Sequence, residues 1–169
     1  RVDTHILALR ALGATAAYDN ERKMFDFSAK DGLTGTNLLL DEASVTATEN
    51  AVMAAVLAKG ETVIRNAASE PHVQELCLLL NAMGAKIENI GSNTLHIQGV
   101  SSLHGAEFTI GPDYLEVVSF IGAAVVTHGE IRVRNAAPRY LDMTRLVFNR
   151  LGVDWNVDGD DIIVPADQE

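Results

Sequence analysis

The sequence contains the same short stretch twice. GETVIRNAA occupies residues 60–68, and GEIRVRNAA occupies residues 129–137, 69 positions later. Agreement continues on both sides of each copy, as two further pairs show: AAVLAKG (54–60) with AAVVTHG (123–129), and LNAMGAKIE (80–88) with FNRLGVDWN (148–156). A third, partial copy is LRALGATAAY, residues 9–18. A repeat of about seventy residues indicates one supersecondary unit used several times. The chain therefore holds two whole units and the end of another.

Each whole unit shows the same predicted order of elements. A short strand, NLLL or EFTI (107–110), leads into a helix that is apolar almost all round. The repeated stretch supplies the next strand, and a second helix and a hairpin follow. The second helices carry apolar residues at spacings of three and four, which is helical: Val73, Leu76, Cys77 and Leu80 in one unit, Met143, Leu146, Val147 and Leu151 in the other. Because an all-apolar helix is buried on every side, we predict an α/β (α+β) repeat of βαβαββ units, with helices inside and sheets outside.

The repeated stretch itself is interpreted as a joint of the scaffold. Gly60 and Gly129 suit the end of a helix, where a left-handed backbone is cheap only for glycine. Asn66 and Asn135 suit the turn into the next helix, because an asparagine side chain bonds nearby backbone groups. Two copies of a catalytic device would need two substrates, whereas two copies of a joint need only a repeated fold.

Composition excludes some classes of partner. The chain has 23 acidic and 13 basic residues and a net charge of -10, which argues against nucleic acids and anionic membranes as partners. Its one cysteine, Cys77, cannot form an internal disulfide, so the cytoplasm is the expected compartment. The apolar run at residues 115–127 is too short to span a bilayer. Because the sequence starts at Arg1 directly before a helical pattern, we expect a fragment of something longer.

Chemistry is expected where the units differ. The first unit has DEASVTATEN before its apolar helix, and the second has GPDYLEVV. Thr46 and Glu49 have the spacing of a capping box. Ser44, Thr46 and Thr48 place hydroxyls beside a helix N-terminus, which suits a phosphate; capping of the helix alone is the other interpretation.

The start of the chain, RVDTH, is a second polar cluster. Asp3 or Thr4 is a candidate N-cap of the first helix. Neither His5 nor His72 has further ligands at metal spacing, so no metal site is predicted. No catalytic triad, glycine-rich phosphate loop or carboxylate pair is visible.

The amino-acid sequence of the first unit resembles that of a known family. SVTATENAVMAAVLAKGETVIRNAASEPHVQELCLLLNAMGAKI (44–87), with GSNTLHIQGV after it and RVDTHILALRALGA at the start, is similar to the UDP-N-acetylglucosamine 1-carboxyvinyltransferases. The resemblance is densest over residues 33–100. It implies an enolpyruvyl-transferase-like, inside-out fold of two domains with three units each. It also implies, without any cofactor, transfer of enolpyruvyl from phosphoenolpyruvate to the 3'-hydroxyl of UDP-N-acetylglucosamine, a step of peptidoglycan precursor synthesis.

The resemblance carries over to two substrate-binding segments. RVDTH corresponds to the family's uridine-binding segment, and EASV to the stretch that approaches the diphosphate. The implied binding residues are Arg1, Val2, Asp3, Thr4, Glu42, Ala43, Ser44 and Val45. Three positions depart from the family, which often has Lys at Glu42, Gly at Thr46 and Arg at Tyr114. They leave open a paralogue with an altered substrate.

The resemblance also predicts the limits of this polypeptide. The family's domain boundary would fall near residue 111, making residues 1–111 part of the first domain and residues 112–169 the first unit of the second. The family's reactive cysteine has no match here, since Cys77 lies elsewhere; no catalytic residue is predicted and this polypeptide alone should be inactive. We expect exposed apolar helix faces and self-association. A shikimate-pathway enolpyruvyl transferase and a non-catalytic assembly module are the alternatives.

Overall fold

The computed structural model describes residues 2–168 and divides into two compact units. The first ends at Phe108 and the second begins at Thr109. The domain assignment drawn from the family concerns a longer protein and stays a prediction. Across residues 2–168, no helix combines the length and the apolarity that crossing a membrane requires.

The first unit opens with a helix and a hairpin and continues with one complete repeat. Helix α1 spans Asp3–Ala11, and the antiparallel hairpin consists of β1 (Thr15–Asp19) and β2 (Met24–Ser28). The repeat then follows in the predicted order: β3 (Asn37–Leu39), α2 (Val45–Ala55), β4 (Glu61–Arg65), α3 (Pro71–Ala82), β5 (Lys86–Glu88) and β6 (Thr94–Gln98). The βαβαββ prediction is confirmed for this copy.

The repeat of the first unit is built on a four-stranded sheet. The strand order is β3-β4-β6-β5, with β3 parallel to β4 and the other pairs antiparallel. One face of the sheet is apolar. On this face Ile64 pairs with Leu38 on one side and with Leu95 on the other, and all three side chains are buried. Helix α2 packs its small residues into the same core, where Ala51, Val52 and Ala55 are fully buried.

The second unit has one strand fewer than predicted. It contains α4 (Tyr114–Val126), β7 (Ile131–Val133), a short 3-10 helix (Pro138–Tyr140), α5 (Asp142–Asn149), β8 (Asn156–Asp158) and β9 (Asp161–Val164). Its antiparallel sheet has the order β7-β9-β8. The core includes Val117, Ile121, Trp155 and Ile162. The predicted α/β class is confirmed, but the unit is αβαββ.

The prediction of a strand at EFTI, residues 107–110, is wrong. Its counterpart β3 exists because β4 supplies a parallel partner, whereas β7 pairs with β9 alone among the described strands. Leu40 is 1% exposed, but the corresponding Ile110 is 79% exposed. Sequence similarity reproduces the apolar pattern of a strand, while the hydrogen bonds that make a strand must come from a neighbour.

The apolar stripe of α5 is not covered as its counterpart in α3 is. Val73 and Cys77 are buried in α3, but Met143 is 71% exposed and Leu151 is 74% exposed. Helix α5 instead packs Phe148 edge-on against Trp155, with ring centroids 6.2 Å apart. Periodicity identifies the apolar face of a helix without identifying what covers it. The expected exposure of apolar helix faces is thus seen, and self-association stays a prediction.

Candidate functional site

Helix α1 begins within the first predicted binding segment. Val2 is its N-cap and Asp3 its first helical residue, so the prediction of Asp3 or Thr4 as N-cap is wrong. Thr4 lies on the face that continues through Ala8 and Leu12, and it is only 5% exposed. A residue at this depth needs a hydrogen-bond partner. Its hydroxyl donates to Oδ1 of Asp41, 2.7 Å away. Arg1 lies outside the described residues.

The second predicted segment, residues 42–45, forms the connection between β3 and α2. Ser44 is the N-cap of α2 and its Oγ accepts a hydrogen bond from the Ala47 backbone N–H at 3.3 Å. The predicted capping box of Thr46 and Glu49 is therefore wrong, because the helix starts at Val45 and Thr46 already lies inside it. The free amides of this helix end, with their partial positive charge, border the segment.

The repeated stretch holds the start of this connection. The Leu40 backbone N–H donates to the Arg65 carbonyl at 3.0 Å, and Nδ2 of Asn66 donates back to the Leu40 carbonyl at 2.9 Å. Asn66 can reach it because its backbone is left-handed, with φ of 58°, a conformation that asparagine tolerates better than most residues. In the first unit, the RNAA turn (residues 65–68) thus acts as a joint and supports the candidate site.

The corresponding turn in the second unit differs in detail. Asn135 is also left-handed, with φ of 49°, but its backbone N–H donates to Asp161 Oδ1 at 2.9 Å. The prediction that Gly60 and Gly129 end a helix is wrong for both: α2 ends at Ala55, so Gly60, although left-handed with φ of 90°, lies directly before β4, and after α4 the left-handed residue is His128, not Gly129. Asp113 is the N-cap of α4 and accepts from the Leu115 N–H at 2.8 Å.

A histidine contact that the sequence did not predict lies beside the two segments. Asn50 places Nδ2 2.7 Å from Nδ1 of His5, and the Thr46 hydroxyl oxygen lies 3.4 Å from the other ring nitrogen. Both partners lie on α2, so His5 joins the first turn of α1 to the first turns of α2. The only sequence signal was the polar character of VDTH and TATEN at two helix starts.

The described part of the site is acidic. Residues 2–5 and 41–46 include the carboxylates Asp3, Asp41 and Glu42, and neither stretch contains Lys or Arg. Glu42 is exposed, next to the connection that leads to the helix amides. An anionic ligand here is attracted by the helix end and repelled by these carboxylates. Glu42 is thus an exposed carboxylate within the second predicted segment.

A mainly apolar cavity of about 330 Å³ lies next to His5. Its walls come from α1, α2 and the second strand of the hairpin: Val2, His5, Ile6, Leu9, Phe25, Phe27 and Asn50. Another cavity, of about 440 Å³, lies in the second unit beside Trp155 and contains none of the predicted binding residues. The first cavity therefore adjoins the candidate site, and the second does not.

Cys77 is separate from this site. It is fully buried in α3, and burial, with a smaller effect of Glu49, raises the pKa of its thiol to about 11. A buried neutral thiol is a poor nucleophile, so the surroundings of Cys77 favour a structural role. Within residues 2–168, no group of three or more His, Cys, Asp or Glu side chains is arranged to hold a metal ion.

Sequence comparisons assign the chain to a family. The profile of the family described as EPSP synthase (3-phosphoshikimate 1-carboxyvinyltransferase) matches residues 2–168. The UDP-N-acetylglucosamine 1-carboxyvinyltransferase of Treponema denticola is 53% identical over 169 residues, which cover 100% of this chain and 39% of that protein. The enzyme of the same name from Bacteroides fragilis is 52% identical over 166 residues, covering 98% of this chain and 38% of its own length. The chain thus spans about two fifths of these relatives.

Solved structures show the same fold. The enolpyruvyl transferase NikO from Streptomyces tendae matches with a TM-score of 0.85 at 23% identity, over 97% of this chain and 42% of its own. An EPSP synthase from Acinetobacter baumannii matches with a TM-score of 0.65 at 20% identity, over 97% and 39%. The resemblance to the UDP-N-acetylglucosamine 1-carboxyvinyltransferases is confirmed, and the chain belongs to the EPSP synthase (3-phosphoshikimate 1-carboxyvinyltransferase) family of enolpyruvyl transferases.

Proposed function

We propose that this chain is part of a cytoplasmic enzyme that transfers enolpyruvyl from phosphoenolpyruvate to the 3'-hydroxyl of UDP-N-acetylglucosamine, in peptidoglycan precursor synthesis. Within it, residues 1–4 and 42–45 bind the UDP-sugar. Two relatives that are about half identical to the chain over the aligned residues are named UDP-N-acetylglucosamine 1-carboxyvinyltransferase. A polypeptide of these 169 residues binds the UDP-sugar without turning it over.

The hydrogen bond between Thr4 and Asp41 carries the proposal for the site. Two segments were assigned to one ligand from sequence resemblance alone, and this 2.7 Å bond joins Thr4 of the first segment to Asp41, the residue directly before the second. A UDP-sugar needs both a surface for its uridine end and groups for its diphosphate, so adjacent segments are what such a ligand requires. The contact between His5 and Asn50 supports the same approach of α1 to α2.

Each segment has a distinct task in the proposal. Val2 and Asp3 are exposed at the start of α1 and meet the uridine end. The backbone amides at the start of α2, beside Ser44 and Val45, face the diphosphate and lower the energy of its negative charge. Glu42 opposes that attraction, so binding by this polypeptide is weak, in the micromolar to millimolar range.

The assembly module is the alternative with an observation of its own. Large apolar side chains are exposed on α4 and α5 and directly after α5, among them Phe120, Val126, Met143 and Leu151. Exposed patches of this kind mark contact surfaces. These exposed side chains fit equally well an enzyme whose remaining units cover them. The transferase is preferred because the relatives at about 50% identity carry that name. The shikimate-pathway activity is less favoured because the relatives at about 50% identity are named for the UDP-sugar.

Titration with UDP-N-acetylglucosamine, followed by amide shifts in NMR, tests the proposal. We expect saturable shifts at residues 2–5 and 42–46, with the corresponding residues 111–115 of the second unit unchanged as an internal control. Shikimate 3-phosphate should produce no saturable shifts; if it alone does, the shikimate branch replaces the proposal. No saturable binding at millimolar UDP-sugar would favour the assembly module. Phosphate release from phosphoenolpyruvate should stay at background.

A further inference from the structure

Thr48 is a buried polar residue near the start of α2. Its side chain is fully buried, yet both capacities of its hydroxyl are used. It donates to the Ser44 carbonyl one turn earlier at 2.7 Å and accepts from the Ala68 backbone N–H at 3.0 Å. The first bond is common for threonine in helices. The second is not local, because it reaches 20 positions along the chain into the RNAA turn.

The second unit shows what the fold does without this hydroxyl. The residue 69 positions after Thr48 is Val117, which is 4% exposed. Ala137, the counterpart of Ala68, has a left-handed backbone with φ of 46°, whereas Ala68 does not. The left-handed region is unfavourable for alanine. Ala68, whose N–H bonds to Thr48, avoids that region, whereas Ala137, in the unit that has Val117 in place of Thr48, adopts it. The fold thus accepts valine here, and the hydroxyl has a task beyond building the unit.

We propose that Thr48 is a positioning residue for the UDP-sugar site. It does not touch the ligand; it ties the backbone of Ser44 to the RNAA turn. Ser44 is held through its own side chain as N-cap and through its carbonyl, which accepts from the Thr48 backbone N–H and, in addition, from the Thr48 hydroxyl; only the hydroxyl links this carbonyl to the RNAA turn. This fixes the direction of the amides at the start of α2, so less order has to be gained when a diphosphate binds.

The proposal rests on the proposed function for its ligand, and three substitutions test it. Thr48→Val copies the second unit and removes both hydrogen bonds at nearly unchanged volume, while Thr48→Ser keeps the hydroxyl. We expect Thr48→Val to weaken binding of UDP-N-acetylglucosamine about tenfold, and Thr48→Ser to stay within about twofold of the wild type. Val117→Thr, in the unit without the site, should leave binding unchanged. Equal affinity of the valine and serine variants would overturn the proposal.

A second measurement on the same variants separates this proposal from the proposed function. Hydrogen exchange of the Ala68 and Ala47 amides should accelerate in Thr48→Val and not in Thr48→Ser, whether or not a ligand is present. If the wild-type chain does not bind the UDP-sugar, the proposed function fails, and exchange then decides whether Thr48 positions this segment. Unchanged exchange in the valine variant refutes the positioning role.

Discussion

Replacement of the two repeated asparagines measures how much the joint contributes to the site that it supports. Asn66 and Asn135 occupy corresponding turns and share a left-handed backbone, with φ of 58° and 49°. Asn66 adds a side-chain hydrogen bond, to the Leu40 carbonyl at 2.9 Å. Within the described residues, the structure gives the Asn135 side chain no such bond. Each asparagine is therefore the matched control of the other.

The expected magnitudes follow from this difference. Asn66→Gly places at this position a residue that adopts positive φ without strain, and it removes the side-chain hydrogen bond to Leu40. That bond contributes about 1 kcal/mol to the free energy of unfolding. Asn135→Gly loses no side-chain hydrogen bond and has the same backbone-entropy cost, so it should lower the free energy of unfolding by a smaller amount. Alanine adds the left-handed strain of about 1 kcal/mol at either position. Asn66→Ala should therefore cost about 2 kcal/mol, and Asn135→Ala about half of that.

Amide hydrogen exchange is the suitable assay because it reports the free energy of opening separately for each unit. The Ile64 amide in β4 reports the first unit, and the Ile162 amide in β9 reports the second. We expect Asn66→Gly to lower protection of Ile64 by about 1 kcal/mol more than Asn135→Gly lowers that of Ile162. Equal losses at the two positions would show that the bond to Leu40 contributes nothing, and the joint would then be only a turn.

Three further predictions concern charge and pH. Glu42→Lys replaces repulsion of an anion by attraction and should strengthen binding of UDP-N-acetylglucosamine about tenfold in calorimetry, with Glu42→Gln intermediate; an unchanged affinity would remove residue 42 from the site. Burial raises the pKa of the Cys77 thiol from 9.0 to about 11, so the folded state binds the thiol proton more tightly than the unfolded state. The free energy of unfolding measured in urea should therefore fall as pH rises from 9 to about 11. Cys77→Ala should abolish this pH dependence. The Asn135 backbone N–H and then Arg132 lower the pKa of Asp161, so stability of the second unit should be lost as pH falls through that lowered pKa. Asp161→Asn should flatten this acid limb in a urea series followed by Trp155 fluorescence.

Much of the fold could be predicted because the repeat supplied two samples of each element. The order β3, α2, β4, α3, β5, β6 follows from apolar periodicity and turn residues, which are local properties. The failures concern partners. EFTI has the pattern of a strand but pairs with no strand within residues 2–168, and the stripe of α5 has helical spacing but leaves Met143, Leu146 and Val147 exposed. Both depend on what another segment supplies, which the local sequence does not encode.

The candidate site shows the same division. Resemblance selected Thr4 and residues 42–45, and the structure places Thr4 beside the second segment. Asp41 was missed as the partner of Thr4, and so was the contact of His5 with Asn50. These pairs are 37 and 45 positions apart, so their meeting depends on how α1 packs against α2. The role of Thr48 was visible only as one hydroxyl among three near a helix start.

The RNAA turn has a consequence for how such proteins diversify. The sequence RNAA occurs both in the unit that carries the candidate site and in the unit that carries none of its predicted residues. The connection into the following apolar helix differs between the two units, DEAS in one and GPD in the other. Mutations in that connection can change what a unit recognises without disturbing the core, because in the first unit the RNAA turn holds the start of the connection by hydrogen bonds at Leu40. A duplicated unit could thus acquire a new ligand by rewriting about four residues, leaving the scaffold that folds it intact.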